Sequence, residues 1–178
     1  LKAVLERESI EAHEQVPWQL ARLANGSMRD GLSLLDRLIA TGQSPLTVEI
    51  LEQMLGLPPQ EQVAQLVDAI ADGQVGPALE QTNAMIERGL GQDQVIDALI
   101  ERLRQLLLIT SCGTDSELVE LSEEAAAEAQ KQAGRFDAAG LAYLIAVCDS
   151  LQRLSKLSSS PRALLDASIV RMALAPGL

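Results

Sequence analysis

The residue of this sequence most suited to chemistry is Arg29, because of what surrounds it. From Ala24 to Arg37 the chain reads Ala-Asn-Gly-Ser-Met-Arg-Asp-Gly-Leu-Ser-Leu-Leu-Asp-Arg. Gly26 stops one helix, Ser27 is a good N-cap for the next, and Asp30, three residues on, completes a pair resembling a capping box. Arg29 therefore falls in the first turn of a helix. A cation there opposes the helix dipole by about 0.3–1 kcal/mol unless an anion or Asp30 offsets it. A guanidinium beside the free N–H groups of a helix start is well suited to meet phosphate oxygens. An exposed Arg paired with Asp30 or another neighbour fits the same residues, and the spacing alone leaves both readings open.

Other chemistry is poorly represented. No G-x-x-x-x-G-K-[ST] string occurs to cradle phosphates, so autonomous nucleotide hydrolysis is not expected. The single histidine, His13, lies in the polar turn Glu11-Ala12-His13-Glu14, without a nucleophile or a metal-ligand partner at helical spacing, and reads as a solvated loop residue. Glu123, Glu124 and Glu128 read as a solvated helix face. Cys112 and Cys148 sit in aliphatic helical segments and are expected as buried free thiols. No catalytic residue and no metal site is expected.

The elements that position Arg29 follow from patterning. Hydrophobic residues make up 47% of the 178 residues but aromatics only 2%, so a packed core has to be built from aliphatic side chains at helical spacing. The fold class is all-α, with about ten helices and no convincing strand. Leu1, Val4 and Leu5 mark a first helical face that fades after Ser9. Pro17 starts a second helix, and Leu32, Leu35, Leu38 and Ile39 stripe a third that closes at Thr41-Gly42. Residues 1–42 thus form a small three-helix unit, and Gln43-Ser44-Pro45 is the joint to a second domain over 45–178. There Thr47 caps a short helix to Gly56, and Asp93 to about Ser111 is long and apolar nearly all the way round, as a central bundle helix is. Ser116 to Gln132 reads as a peripheral helix, Asp137 caps another, and Ser158-Ser159-Ser160-Pro161 precedes the last. No period of 33 to 47 residues repeats.

A net charge of −11 would repel a phosphate backbone, so direct nucleic-acid binding is not expected. No apolar run reaches the roughly 18 residues of a membrane span, and the layout of a signal peptide is missing, which predicts a soluble cytoplasmic protein. The first residue is Leu and the helical pattern is already under way there, which predicts a piece of a longer chain.

The stretch from Gly26 to Arg37 resembles the sensor-2 motif of AAA+ clamp loaders, in particular the gamma/tau subunits of bacterial DNA polymerase III, whose typical form is G-S-[ML]-R-D-A-L-S-L-L-D-Q. Gly31 stands here for the usual Ala, at up to about 1 kcal/mol of helix propensity, and Arg37 for the usual Gln. Thr47-Val48 with Met54-Leu55-Gly56 is similar to the family's passage from lid to collar, and Arg171-Met172-Ala173-Leu174-Ala175 to the end of its collar. The resemblance implies a three-helix lid over 1–42 and a helical-bundle collar over 45–178. It implies that Arg29 reaches ATP phosphates held, with Mg, by a core lying before Leu1, and that Gly26, Ser27 and Asp30 support that turn. It also implies assembly with delta, delta-prime and further gamma/tau copies in a pentameric ring that loads sliding clamps for DNA replication. The alternative is a stand-alone helical adaptor that shares only a capped Gly-Ser-Met-Arg-Asp turn.

Overall fold

The apolar stripes become ten α-helices among the residues described by the computed structural model, which are 1–8 and 10–175. The all-α expectation holds, and extended pairing among these residues is limited to one isolated parallel bridge between Ala12 and Leu46. Packing divides the chain into two units, Leu1–Gly56 with Glu120–Ala126, and Leu57–Val119 with Ala127–Leu178.

The first unit contains α1 (Lys2–Arg7), α2 (Gln15–Leu23), α3 (Met28–Ile39) and α4 (Val48–Leu55). Leu5, Val16, Leu20, Leu35, Leu38, Leu46, Val48 and Leu51 form its core, with Leu1, Val4, Leu23 and Met54 packed around them. Residues 46–56, grouped by sequence with the second domain, therefore contribute to the core of the first. The physical reason is main-chain pairing. The Leu46 N–H donates to the Glu11 carbonyl at 2.8 Å and the His13 N–H to the Leu46 carbonyl at 2.9 Å, which delivers Leu46 to the interior. Thr47 then caps α4 by accepting the Ile50 N–H at 3.4 Å, and Gly56 ends it in the left-handed conformation, φ 64°. The Thr47 hydroxyl also hydrogen-bonds the Glu49 carboxylate; with the Glu49 N–H, this holds that carboxyl below its ordinary range.

Pro17 was expected to open α2, but the helix starts two residues earlier at Gln15. The N–H groups of a first turn have no intrahelical acceptor, so a proline at its third position forfeits no bond. His13 is exposed, as expected, although its backbone is pinned to Leu46. The fading of the first helical face after Ser9 falls outside the described residues at that position.

The second unit contains α5 (Gln60–Ala71), α6 (Val75–Glu87), α7 (Gln92–Cys112), the later part of α8 (Glu123–Ala133), α9 (Ala138–Ser155) and α10 (Pro161–Ala173). Helix α7 packs on α5, α6 and α9, the central role its broad apolar face predicted, and buries Val95, Ile96, Leu99, Leu103, Leu106 and Ile109. Helix α10 packs on the same three helices through Leu165, Ile169 and Met172.

The helix expected from Ser116 begins only at Glu123. Gly113, at φ 79°, terminates α7, and the Ser116 hydroxyl takes the Leu118 N–H at 3.3 Å in a local turn that competes with helix formation. Ser122 then caps α8 through the Ala125 N–H at 3.3 Å, with Glu123 and Glu124 exposed in the first turn. The two thiols also differ. Cys148 is buried against the Met172 sulfur at 3.6 Å and its pKa is pushed up to about 12 by burial, whereas Cys112 is exposed because α7 ends there, beyond its last buried residue, Ile109.

A polar network fastens α8 within this unit. The buried Gln132 amide donates to the Ala64 carbonyl at 2.9 Å and to Asp68 at 2.8 Å, and accepts from Arg102 Nε at 2.7 Å. Arg135 joins Asp68 at 2.7 Å and also pairs with Asp72. Gln132→Leu strips partners from part-buried groups on α5 and α7, so it should lower the unfolding free energy by about 1–3 kcal/mol. The exposed Glu128→Gln on the same helix should stay within about 0.5 kcal/mol of wild type, and urea unfolding monitored by circular dichroism compares the two.

Candidate functional site

The start of α3 is built by three consecutive backbone choices. Asn25 at φ 46° and Gly26 at φ 79° are both left-handed, a conformation open to Gly and tolerated by Asn, and they reverse the chain after α2. Ser27 then takes an extended N-cap conformation, its N–H donating to the Ala24 carbonyl at 2.8 Å and its hydroxyl accepting the Asp30 N–H at 3.3 Å. Gly26, Ser27 and Asp30 are thus brought together as the cap of the helix that carries Arg29.

Arg29 is exposed, and among the described residues its guanidinium makes no ion pair and no hydrogen bond. Pairing with Asp30, one of the two readings open from sequence, is not formed. The Ser27 cap satisfies only the Asp30 N–H, so the remaining N–H groups of the first turn face the same direction as an anion-binding helix start requires. The Ser33 hydroxyl donates to the Arg29 carbonyl at 3.0 Å, which ties the residue's backbone into the second turn while leaving its side chain free to extend.

Gly31 has a reason that helix propensity concealed. It is buried, and a Cβ added to it would lie 3.3 Å from Ala24 Cβ and 3.5 Å from Leu1 Cδ1. The missing methyl lets α3 close down on the end of α2 and on the leucine that precedes α1. Sequence reasoning did not find Leu1 and Ala24 as partners of this turn, because no periodicity links residues that meet across two chain reversals.

Nothing else among the described residues competes as a site. No group of three His, Cys, Asp or Glu side chains is placed to hold a metal ion. No helix is long and apolar enough to cross a membrane.

A family model described as the DNA polymerase III clamp loader subunit, ATPase lid domain, matches residues 1–44, and one for domain III of DNA polymerase III subunits gamma and tau matches residues 46–178. The chain belongs to the gamma/tau family of DNA polymerase III clamp-loader subunits. It is 26% identical to the tau subunit of Bacillus subtilis over 97% of its own length and 30% of the relative's. To the tau subunit of Escherichia coli it is 30% identical over 68% of its length and 19% of the relative's. The gamma/tau subunit of Mycobacterium tuberculosis is 25% identical across 98% of the chain and 31% of its own length. The chain thus spans less than a third of these curated relatives. The two matched ranges meet at residues 44–46, at the main-chain pairing that brings Leu46 back onto the lid helices of this gamma/tau chain.

The cap of α3 is testable by itself. Ser27→Ala leaves the Asp30 N–H without its acceptor and should destabilise the first unit by about 0.5–2 kcal/mol, with Ser27→Asp close to wild type, as read by thermal unfolding.

Proposed function

We propose that these residues act within a larger clamp-loader subunit, as a lid whose Arg29 reads the state of a bound nucleotide and a helical domain III that holds subunits together. A core that carries the phosphate-binding loop, preceding Leu1, would bind ATP with Mg. Arg29 would then reach its phosphate oxygens from the lid, the role of a sensor-2 arginine. The observation that supports this most directly is the exposed guanidinium at a capped helix start, unpaired with Asp30 and flanked by first-turn N–H groups. The Arg29 guanidinium and the dipole of that turn favour a phosphate, and a bidentate guanidinium contact adds orientation to the attraction. Coupling between nucleotide state and loading of the sliding clamp follows if closure of the lid depends on that contact.

No phosphate-binding loop lies in the 178 residues, so these residues by themselves do not turn over ATP. Domain III supplies aliphatic helical surface for assembly with delta, delta-prime and further gamma/tau copies in a pentameric ring. Leu154 and Leu157 are exposed at the end of α9 and just beyond it, where such contacts would be hydrophobic. The net charge of −11 argues against direct binding to DNA by these residues, and the whole assembly works in the cytoplasm.

In the longer protein that contains the core, Arg29→Ala should reduce ATP-dependent clamp loading by at least about tenfold, the scale of one lost charged contact. The same change should leave the melting temperature of the 178-residue chain within about 1 °C, as an exposed and unpaired side chain implies. A large loss of stability with normal loading would make Arg29 structural. Mixing the chain with delta and delta-prime and measuring mass by light scattering during size exclusion tests assembly. Co-elution at a defined mass is expected, and a persistent monomer would place the ring contacts outside these residues.

A further inference from the structure

Arg29 can read a phosphate only if its helix turn is held in a defined direction, and Gly31 lies two residues further along the same turn. At that position the absence of a side chain is used: Ala24 Cβ and both Leu1 methyl carbons lie 3.3–3.7 Å from where a Cβ would be. Ala24 ends α2, and Leu1 is the residue from which α1 departs, its carbonyl accepting the Val4 N–H at 3.0 Å and the Leu5 N–H at 3.2 Å. Three separate parts of the chain therefore meet on the backbone of the turn that carries the guanidinium. An exposed Arg with no protein partner has no other restraint on where it leaves the surface than the position of its own backbone.

We infer that Gly31, seated against Ala24 and Leu1, is a positioning residue for the contact between Arg29 and the phosphates of a nucleoside triphosphate. The inference rests on the phosphate-reading role proposed above for Arg29 and adds the element that aims it. Two kinds of force act on this seat. Helix propensity favours alanine over glycine at position 31 by about 1 kcal/mol, so a stability optimum alone would fill the site. Close packing opposes it, since 3.3 Å to Ala24 Cβ is tighter than ordinary carbon contact and can be relieved only by moving α3 away from the end of α2. A shift of a few tenths of an ångström at the backbone is magnified at the end of an extended arginine side chain, and phosphate contacts are sensitive to displacement on that scale. Leu1 borders the same seat, its methyl carbons 3.5 and 3.7 Å from where a Gly31 Cβ would be, so the residue from which α1 departs lies beside the turn bearing Arg29. A change in the direction of the chain at Leu1 would be felt at the guanidinium through a single layer of side chains.

The test moves one methyl group across the contact in the longer, core-containing protein. Gly31→Ala adds it, and Ala24→Gly in the same chain removes the atom it meets. With ATP titrated against clamp loading, Gly31→Ala should raise the ATP concentration for half-maximal loading by at least about threefold, a modest share of what misplacement can cost, with the maximal rate little changed. The double variant should restore the wild-type value, and Arg29→Ala serves as the reference for complete loss of the contact. Thermal unfolding of each variant separates aim from stability: a raised ATP requirement at an unchanged melting temperature is the expected result, and one that appears only with a lowered melting temperature overturns the positioning role. An unchanged ATP dependence for Gly31→Ala, while Arg29→Ala shifts it, overturns the positioning role and leaves the phosphate reading standing. Failure of the double variant to restore the value also overturns it. If Arg29→Ala itself has no effect on the ATP dependence, the phosphate reading fails and the inference with it.

Discussion

Burial of aliphatic stripes carries both units of this chain, because most of its helices are too short to persist on their own backbone bonds. Isolated helices of fewer than about 12–15 residues are marginal in water, and α1, α2 and α4 have 6, 9 and 8 residues. With one Trp, one Tyr and one Phe in the sequence, leucine, isoleucine, valine and alanine have to supply nearly all of the buried area. Branched aliphatic chains fill helix interfaces in few rotamers, so register between helices matters more than any single anchor. The fully buried leucines illustrate this, with Leu20, Leu35, Leu38, Leu46 and Leu51 drawn from four parts of the first unit into one cluster.

Within that frame, the polar groups mainly decide where helices begin, end and lock. Ser27, Thr47, Ser122 and Asp137 each accept an N–H of the helix they precede. The buried Gln132 does something different, since one amide satisfies groups on two other helices and leaves no buried donor or acceptor of its own unpaired. A network of that kind specifies one arrangement of α5, α7 and α8 where aliphatic packing alone would admit several. The start of α3 shows the opposite design. There the cap is satisfied, but the charge beside it is left exposed and unpaired among the described residues.

Membership of the gamma/tau clamp-loader family and the geometry of α3 bear on each other. The Gly26-to-Arg37 motif places a cation where the helix dipole disfavours it; Asp30 in the same turn complements the dipole, but its carboxylate makes no ion pair with the Arg29 guanidinium. A residue kept at a small local penalty is understandable when the compensating charge comes from a ligand. The same region departs from the usual motif at Gly31, where a Cβ would sit 3.3 Å from Ala24 Cβ and in ordinary contact with the Leu1 methyl carbons.

By itself the sequence determined the fold class, the approximate place of the helices, the capped turn around Arg29 and the family resemblance, because all of these are encoded by local periodicity and by a contiguous motif. His13 as an exposed residue, α7 as a central helix and Glu123, Glu124 and Glu128 as a solvated face were legible for the same reason. What only the tertiary structure decided depends on atoms distant in sequence. Residues 46–56 join the first unit through main-chain bonds between Leu46 and residues 11 and 13, which leave no mark in side-chain patterning. The late start of α8 came from a serine turn competing with a helix that composition alone favours. Cys112 and Cys148 occupy similar aliphatic surroundings in sequence and opposite ones in space, since burial depends on what packs against a helix and not on the helix itself. Gly31 is a loss of propensity by sequence, and only the positions of Ala24 and Leu1 show that a methyl group there would be tightly packed, 3.3 Å from Ala24 Cβ.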